Sequence, residues 1–337
     1  MTHGRFKSPV EGALTGIKDI FRKQPLASRL KESDRLDGKT CLVTGANSGL
    51  GYAIAVDFAR RGANVIMACR RQIPEAGEKV KKESGSELVE MMKVELSDLE
   101  SIEAFCEEIK KRNQTLDVVV LNAGVTPPKS RQSKQGLDEM FMVNYLSNFI
   151  LLHRLLENGN IPNDTFAQNG RKEDFLPRIL FISSDSHQGA SAIDFEVMDK
   201  YVPYGVSKAI NNYSYFKLVM NTYATELSKR LNPDNKTNVS VNVMCPGPVN
   251  TNIIKDAPLV LRVILRLIFT IFFQSPKKAA KPVSYLCASS DWEGKSNEYL
   301  HMFRHKSMDE KCYDAEAGKK LWEESMRIWK GISTTVF

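Results

Sequence analysis

Residues 40–51 read Thr40-Cys41-Leu42-Val43-Thr44-Gly45-Ala46-Asn47-Ser48-Gly49-Leu50-Gly51, and an Ala- and Ile-rich stretch follows directly. Thr40 to Val43 is a β-branched, apolar run and predicts a strand. The helical pattern runs over 50–61, so Gly45 and Gly49 stand in the turn between a strand and a helix, and Gly51 in the first turn of that helix. Glycine lets a backbone turn tightly and lets a bound group approach it closely. The unpaired N–H groups of the helix start favour an anion such as a pyrophosphate. A Gly-rich turn alone is weak, but its position opening a β-α-β unit points to a dinucleotide site built from Gly45, Asn47, Ser48, Gly49, Leu50 and Gly51.

The same rhythm continues along the chain. Strands are predicted at Asn64 to Ala68, Leu88 to Val94, Asp117 to Leu121, Arg178 to Ile182 and Asn238 to Met244, and helices over 73–84, 98–112, 137–157 and 203–231. Continuous apolar strands such as Val118-Val119-Val120-Leu121 are buried on both faces. The fold class is therefore α/β, a single doubly wound Rossmann-type parallel sheet with helices on both faces. The visible boundary is near residue 37. Residues 1–36 are a basic extension with eight Lys/Arg, in which Val10, Leu14, Ile17 and Phe21 make one apolar stripe, and 37–337 carry the nucleotide-binding domain. The stripe could dock on the protein body or lie on a membrane surface.

Composition narrows the classes. The 337 residues are 42% hydrophobic and 26% charged, enough for a sizeable core. The net charge of +7 is modest and unconcentrated, so nothing calls for nucleic acid. Cys41, Cys69, Cys106, Cys245, Cys287 and Cys312 form no C-x-x-C pair and no sequence cluster with His, so no metal site is expected. The absence of a leader motif at the start suggests a cytoplasmic chain, with the cytosolic face of a membrane as the other option.

The end of the second strand is where an acid usually binds the adenosine ribose of NAD. Here it reads Met67-Ala68-Cys69-Arg70-Arg71, with two cations and no acid. A guanidinium forks onto phosphate oxygens, whereas a carboxylate repels them, so NADP(H) is the expected cofactor.

Tyr204-Gly205-Val206-Ser207-Lys208 places a phenol and an ammonium one helical turn apart. Ser183-Ser184 ends the strand Arg178 to Ile182, Asn144 lies inside an apolar helix, and Asn122-Ala123-Gly124 follows the fourth strand. In that order, together with Pro246-Gly247, Val249 and Thr251, these residues resemble the short-chain dehydrogenase/reductase superfamily over nearly everything from Asp37 onward. Ala68-Cys69-Arg70, the Ser207 to Asn211 run and the Ala317 to Glu323 segment are most similar to its retinol-dehydrogenase-like branch.

The resemblance implies hydride transfer between nicotinamide and a carbonyl or alcohol carbon. Tyr204 would be the acid or base, Lys208 would lower its pKa and hold the nicotinamide ribose, Ser184 would bind the substrate oxygen, and Asn144 would hold a water linking Lys208 to solvent. It also implies cofactor contacts from Glu95, Leu96, Asn122, Ala123, Gly124, Tyr204, Lys208, Pro246, Gly247, Val249 and Thr251. Glu95 stands where the family commonly has Asp, and Ser147 where it often has Gly. Ser183 is the competing serine, Tyr201 has no Lys four residues on, and His187 reads as a loop histidine at the rim.

The substrate lid is expected at about 252–275. Within it, Leu259 to Phe273 has twelve apolar residues in fifteen, with Arg262, Arg266 and Thr270 on one narrow stripe. Fifteen residues reach about 22 Å, short of the roughly 30 Å hydrocarbon core. The segment suits a buried or dimer-forming helix, hence a homo-oligomer, or a lid lying on lipid as a peripheral membrane contact. An apolar partner follows: a retinoid, steroid or long-chain aldehyde or ketone. Two other readings are a relative of light-dependent protochlorophyllide reductase, set apart by the twenty positions between Ser184 and Tyr204, and a catalytically silent NADP(H)-binding scaffold.

Overall fold

The computed structural model describes residues 15, 19, 22–168, 175–249 and 274–334. Eight strands make one sheet in the order β3-β2-β1-β4-β5-β6-β7-β8. They are β1 Thr40–Thr44, β2 Asn64–Cys69, β3 Val89–Lys93, β4 Val118–Leu121, β5 Arg178–Ile182, β6 Ser240–Cys245, β7 Tyr299–His301 and β8 Arg304–Lys306. All neighbours pair in parallel except β7 and β8, an antiparallel hairpin at the edge.

Side-chain alternation along the strands divides the core in two. Cys41, Val43, Val118 and Val120 face one layer, made by α1 Gly49–Arg60, α2 Glu75–Ser84 and a later helix, Pro276–Ala288. Leu42, Val119, Leu121 and Phe181 face the other layer. That side holds α3 Leu99–Lys111 and α4, which runs as Glu139–Phe141, a π turn at Met142–Leu146 and Ser147–Glu157. It also holds α5 Val206–Leu231 and the C-terminal Ala315–Thr334; in chain order Pro276–Ala288 is α6 and Ala315–Thr334 is α7. This is the doubly wound sheet that the sequence predicts.

Three differences matter for the site. The helix predicted over 137–157 is interrupted by the π turn, centred on Asn144. The helix predicted from 203 begins only at Val206. Helix α6 and the β7–β8 hairpin were not anticipated: α6 carries Pro282 in its interior, and each hairpin strand has only three residues, too few for a periodic pattern.

The described part of the N-terminal segment docks on the body. Leu36 is fully buried, Leu26 and Leu30 pack against the α1 side, and the Leu26 N–H donates to the Phe303 carbonyl. The stripe Val10, Leu14, Ile17 and Phe21 lies outside the described residues, as do Thr251 and the lid segment 259–273 with Arg262, Arg266 and Thr270. Among the described residues no helix is long and apolar enough to cross a membrane.

Candidate active site

The strand order reverses between β1 and β4, and a cleft of about 740 Å³ opens there beyond the C-terminal strand ends. Its floor is the glycine turn after β1. Gly45 has φ +66° and Gly49 φ +60°, conformations in which a side chain would be strained. Asn122 pins this turn to β4: its Nδ2 donates to the Thr44 carbonyl at 2.9 Å, while the Asn122 and Ala123 N–H groups both donate to Thr44 Oγ1 at 3.0 Å. A Cβ on Gly51 would stand 2.5 Å from Asn122 Nδ2 and from the Gly45 carbonyl. Ser48 precedes α1 without a side-chain cap, so the N–H groups of the first turn are left to an incoming anion. These features fit a dinucleotide pyrophosphate.

At the adenosine end, Arg70, Arg71, Glu95 and Leu96 all line the cleft. Arg70 Nη1 meets Glu95 Oε2 at 3.2 Å, and Glu95 Oε1 accepts from Ser97 Oγ at 3.0 Å. The acid standing where Asp is common is thus an anchor for the arginine. Asn47 also lines the cleft and donates to Gln72 at 2.8 Å. Ser48, Leu50, Ala123, Gly124, Pro246, Gly247 and Val249 complete this list of predicted residues on its wall.

The opposite end corrects the sequence reading. Neither Tyr204 nor Lys208 reaches the cleft lining. Tyr204 precedes α5, so it does not share a helical face with Lys208 in the first turn. Its main chain is bonded on both sides to Ser130, and its hydroxyl is buried among Asp138, Glu139 and Arg131 without a hydrogen-bond partner. Burial and the two carboxylates push that phenol up. Lys208 is exposed.

The cleft is lined instead by Tyr213 and Lys217, a second Tyr-x-x-x-Lys pair that lies wholly inside α5. Lys217 is buried, its Nζ donates to the Ile182 carbonyl at 2.7 Å, and it stands 5.6 Å from the Tyr213 ring centre. Desolvation lowers Lys217 to about 8. Burial raises Tyr213, and a side-chain hydrogen bond with Ser184 acts against that rise. Burial disfavours the charged form of both groups, which moves the phenol up and the ammonium down.

Both serines after β5 line the cleft, but the Ser183 hydroxyl donates to Asn221 Oδ1 at 2.7 Å, away from Tyr213, whereas Ser184 is the one beside Tyr213. Asn144 is fully buried in the π turn, and its amide is bonded at both ends to the Val125 main chain, at 2.8 and 2.9 Å. It braces the wall through Val125 and does not itself line the cleft. His187 is not at the rim: it is fully buried, Nδ1–H donating to the Ser184 carbonyl at 2.7 Å and Nε2 accepting from the Asp309 N–H at 3.1 Å. Burial lowers its pKa. Cys245, which stands apart from any histidine in sequence, meets Asp185 and His301 in space.

A short chain dehydrogenase family model matches residues 39–163. Retinol dehydrogenase 14 of Mus musculus is 33% identical over 306 residues, covering 86% of this chain and 85% of its own length. Retinol dehydrogenase 13 of the same species is 30% identical over 332 residues, covering 96% and 94%. Among solved structures, an uncharacterized protein from Mycobacterium paratuberculosis superposes with a TM-score of 0.68 at 23% identity, covering 91% of this chain and 98% of its own.

Proposed function

The chain belongs to the short-chain dehydrogenase family, in its retinol-dehydrogenase-like branch, and from that premise we propose that it reduces an apolar aldehyde or ketone with NADPH. That it is an oxidoreductase using a nicotinamide dinucleotide follows from the family, and solved structures of this fold hold such cofactors. The choice of NADP(H) rests on Arg70 and Arg71 at the adenosine end of the cleft, with no acid at the end of β2. The apolar substrate rests on relatives named for retinol and on the apolar sequence of 259–273.

The observation that carries the reading is the convergence of Ser184, Tyr213 and Lys217 on one end of the cleft that begins at the glycine turn. When bound, the nicotinamide supplies a hydride to the carbonyl carbon. The carbonyl oxygen then needs a proton, and Tyr213 Oη gives it. A free phenol ionises near pH 10, so the phenolate left behind must be stabilised. Lys217 does this as a buried cation beside the ring, and Ser184 Oγ aligns the substrate oxygen with the phenol. Asn144 holds Val125 in the wall.

With Tyr213 in this role, the interval from Ser184 is 29 positions, so it no longer argues against a light-dependent protochlorophyllide reductase; the relatives named for retinol support the reading adopted here. The test is a panel of retinaldehyde, long-chain aldehydes and ketones with NADPH and NADH in the dark, on wild type and Tyr213→Phe. NADPH-dependent, light-independent loss of absorbance that vanishes in the variant is expected. Equal activity of the variant would refute the assignment.

A further inference from the structure

We propose that Asp19, contributed by the N-terminal segment, is a positioning residue for the Ser184 side of the cleft, completing a buried charge cluster on the β7–β8 hairpin. The proposal rests on the function given above for its kinetic readout only.

Ser184 is followed by Asp185, whose side chain is buried under the cleft wall. Asp185 Oδ2 meets Lys306 Nζ at 2.6 Å and His301 Nδ1 at 2.8 Å, and Oδ1 accepts from the Tyr299 hydroxyl at 2.5 Å. All three partners come from the hairpin. The Asp185 N–H donates to Cys245 Sγ at 3.3 Å, and the same sulfur accepts from the Gly247 N–H at 3.4 Å. Asp185 therefore ties the loop that carries Ser184 to the sheet edge through its carboxylate and, through its N–H, to the cysteine that also holds Gly247.

Two basic groups face that carboxylate, and the second acid comes from the other end of the chain. Asp19 is fully buried; its Oδ2 lies 2.8 Å from Lys306 Nζ and 3.7 Å from His301 Nε2. Arg22 reaches Asp19 Oδ1 at 2.9 Å from the surface, and Gln24 donates to the Asp19 carbonyl at 3.0 Å. Burial works against a charge on His301, while Cys245 and Asp185 beside it favour one and prevail, raising its pKa. The cluster then sets two buried carboxylates against the buried His301 ring and the half-buried Lys306 ammonium, with Arg22 on Asp19 from the surface. Asp185, Cys245 and His301 have the chemistry of metal ligands, but the Lys306 ammonium already bridges Asp185 and Asp19 where a metal ion's charge would be needed.

Removing the Asp19 charge leaves Asp185 as the one carboxylate of the cluster facing both Lys306 and His301, in surroundings that tolerate unmatched charge poorly. Lys306 and His301 then compete for Asp185, and the wall bearing Ser184 shifts. Displacements of this kind act on turnover more than on nucleotide binding, because the glycine turn lies at the other end of the cleft.

The experiment uses the full chain as Asp19→Asn, Asp19→Glu, Lys306→Met and the double variant Asp19→Asn/Lys306→Met. Asp19→Asn is expected to lower kcat by about tenfold or more while the NADPH dissociation constant stays within about twofold. Asp19→Glu restores most of the rate. The double variant, with Asp185 and His301 left as a matched pair, is faster than either single variant. Hydrogen exchange over 183–189 rises in Asp19→Asn and returns in the double variant. Wild-type kcat and exchange in Asp19→Asn, or a double variant no better than the singles, overturns the proposal. If Asp19→Asn does not fold, the double variant against Lys306→Met decides. A wild type without carbonyl turnover sinks the functional reading alone, since the exchange comparison still tests the cluster.

Discussion

Tyr204→Phe and Tyr213→Phe remove the same atom from two tyrosines that lie nine positions apart, and they are expected to have opposite consequences. Tyr213 lines the cleft, and in the proposed mechanism its hydroxyl is the proton donor. Loss of a positioned general acid costs roughly 10²- to 10⁴-fold. At 1.36 kcal/mol per decade this is about 3–5 kcal/mol of activation free energy. At Tyr204 the residue is 8% exposed and its hydroxyl has no hydrogen-bond partner. An unpaired buried hydroxyl costs the fold about 1–3 kcal/mol, so the Phe variant should keep full turnover and gain on the order of 1 kcal/mol of stability. For a chain of this size that corresponds to a rise in Tm of about 1–2 °C. Steady-state kinetics with NADPH and calorimetry on both variants measure the two effects. Loss of turnover in Tyr204→Phe with retained turnover in Tyr213→Phe would refute both the mechanism and the helix register on which it stands.

Three further outcomes follow from the site. Lys217, lowered to about 8 by burial, is positive below that pH and neutral above it, so the support for the Tyr213 phenolate is lost as pH rises. Carbonyl reduction by the free enzyme, read as kcat/KM, should fall on an alkaline limb near pH 8, and a flat profile from 6 to 10 would contradict this. Gly51→Ala places a Cβ against Asn122 and the Gly45 carbonyl. It should cost about 1–3 kcal/mol and weaken NADPH binding, measured by denaturation and titration calorimetry. Arg70→Asp should shift the NADPH/NADH ratio of kcat/KM toward NADH by roughly tenfold or more, since it replaces a cation at the phosphate position with a repelling anion. An unchanged ratio would remove Arg70 from cofactor selection.

The sheet was legible because its central strands are apolar on both sides and its glycine turn stands between strand and helix. Three-residue strands carry no such pattern, so the hairpin bearing His301 and Lys306 was invisible, and with it the burial of Asp185. Asp19, Asp185 and Lys306 look like ordinary surface charges until folding brings both carboxylates within 3 Å of the Lys306 ammonium. The sequence reading placed its Tyr/Lys pair at Tyr204 and Lys208, which lie off the cleft lining, for a different reason. Two Tyr-x-x-x-Lys frames overlap the same predicted helix, and spacing alone cannot separate them. Their neighbourhoods can. Around Lys208 the helix exposes Val206 and Ile210, so the lysine sits on a solvated turn that would cost nothing to leave unpaired. Lys217 instead interrupts Phe216, Leu218, Val219 and Met220, all buried. An ammonium inside such a run must have a polar partner, because its desolvation is otherwise unmatched. Here the partner is the Ile182 carbonyl at the end of β5, the strand that also delivers Ser184. A lysine within an apolar helical run, four residues after a tyrosine, therefore identifies the site more sharply than the motif spacing does.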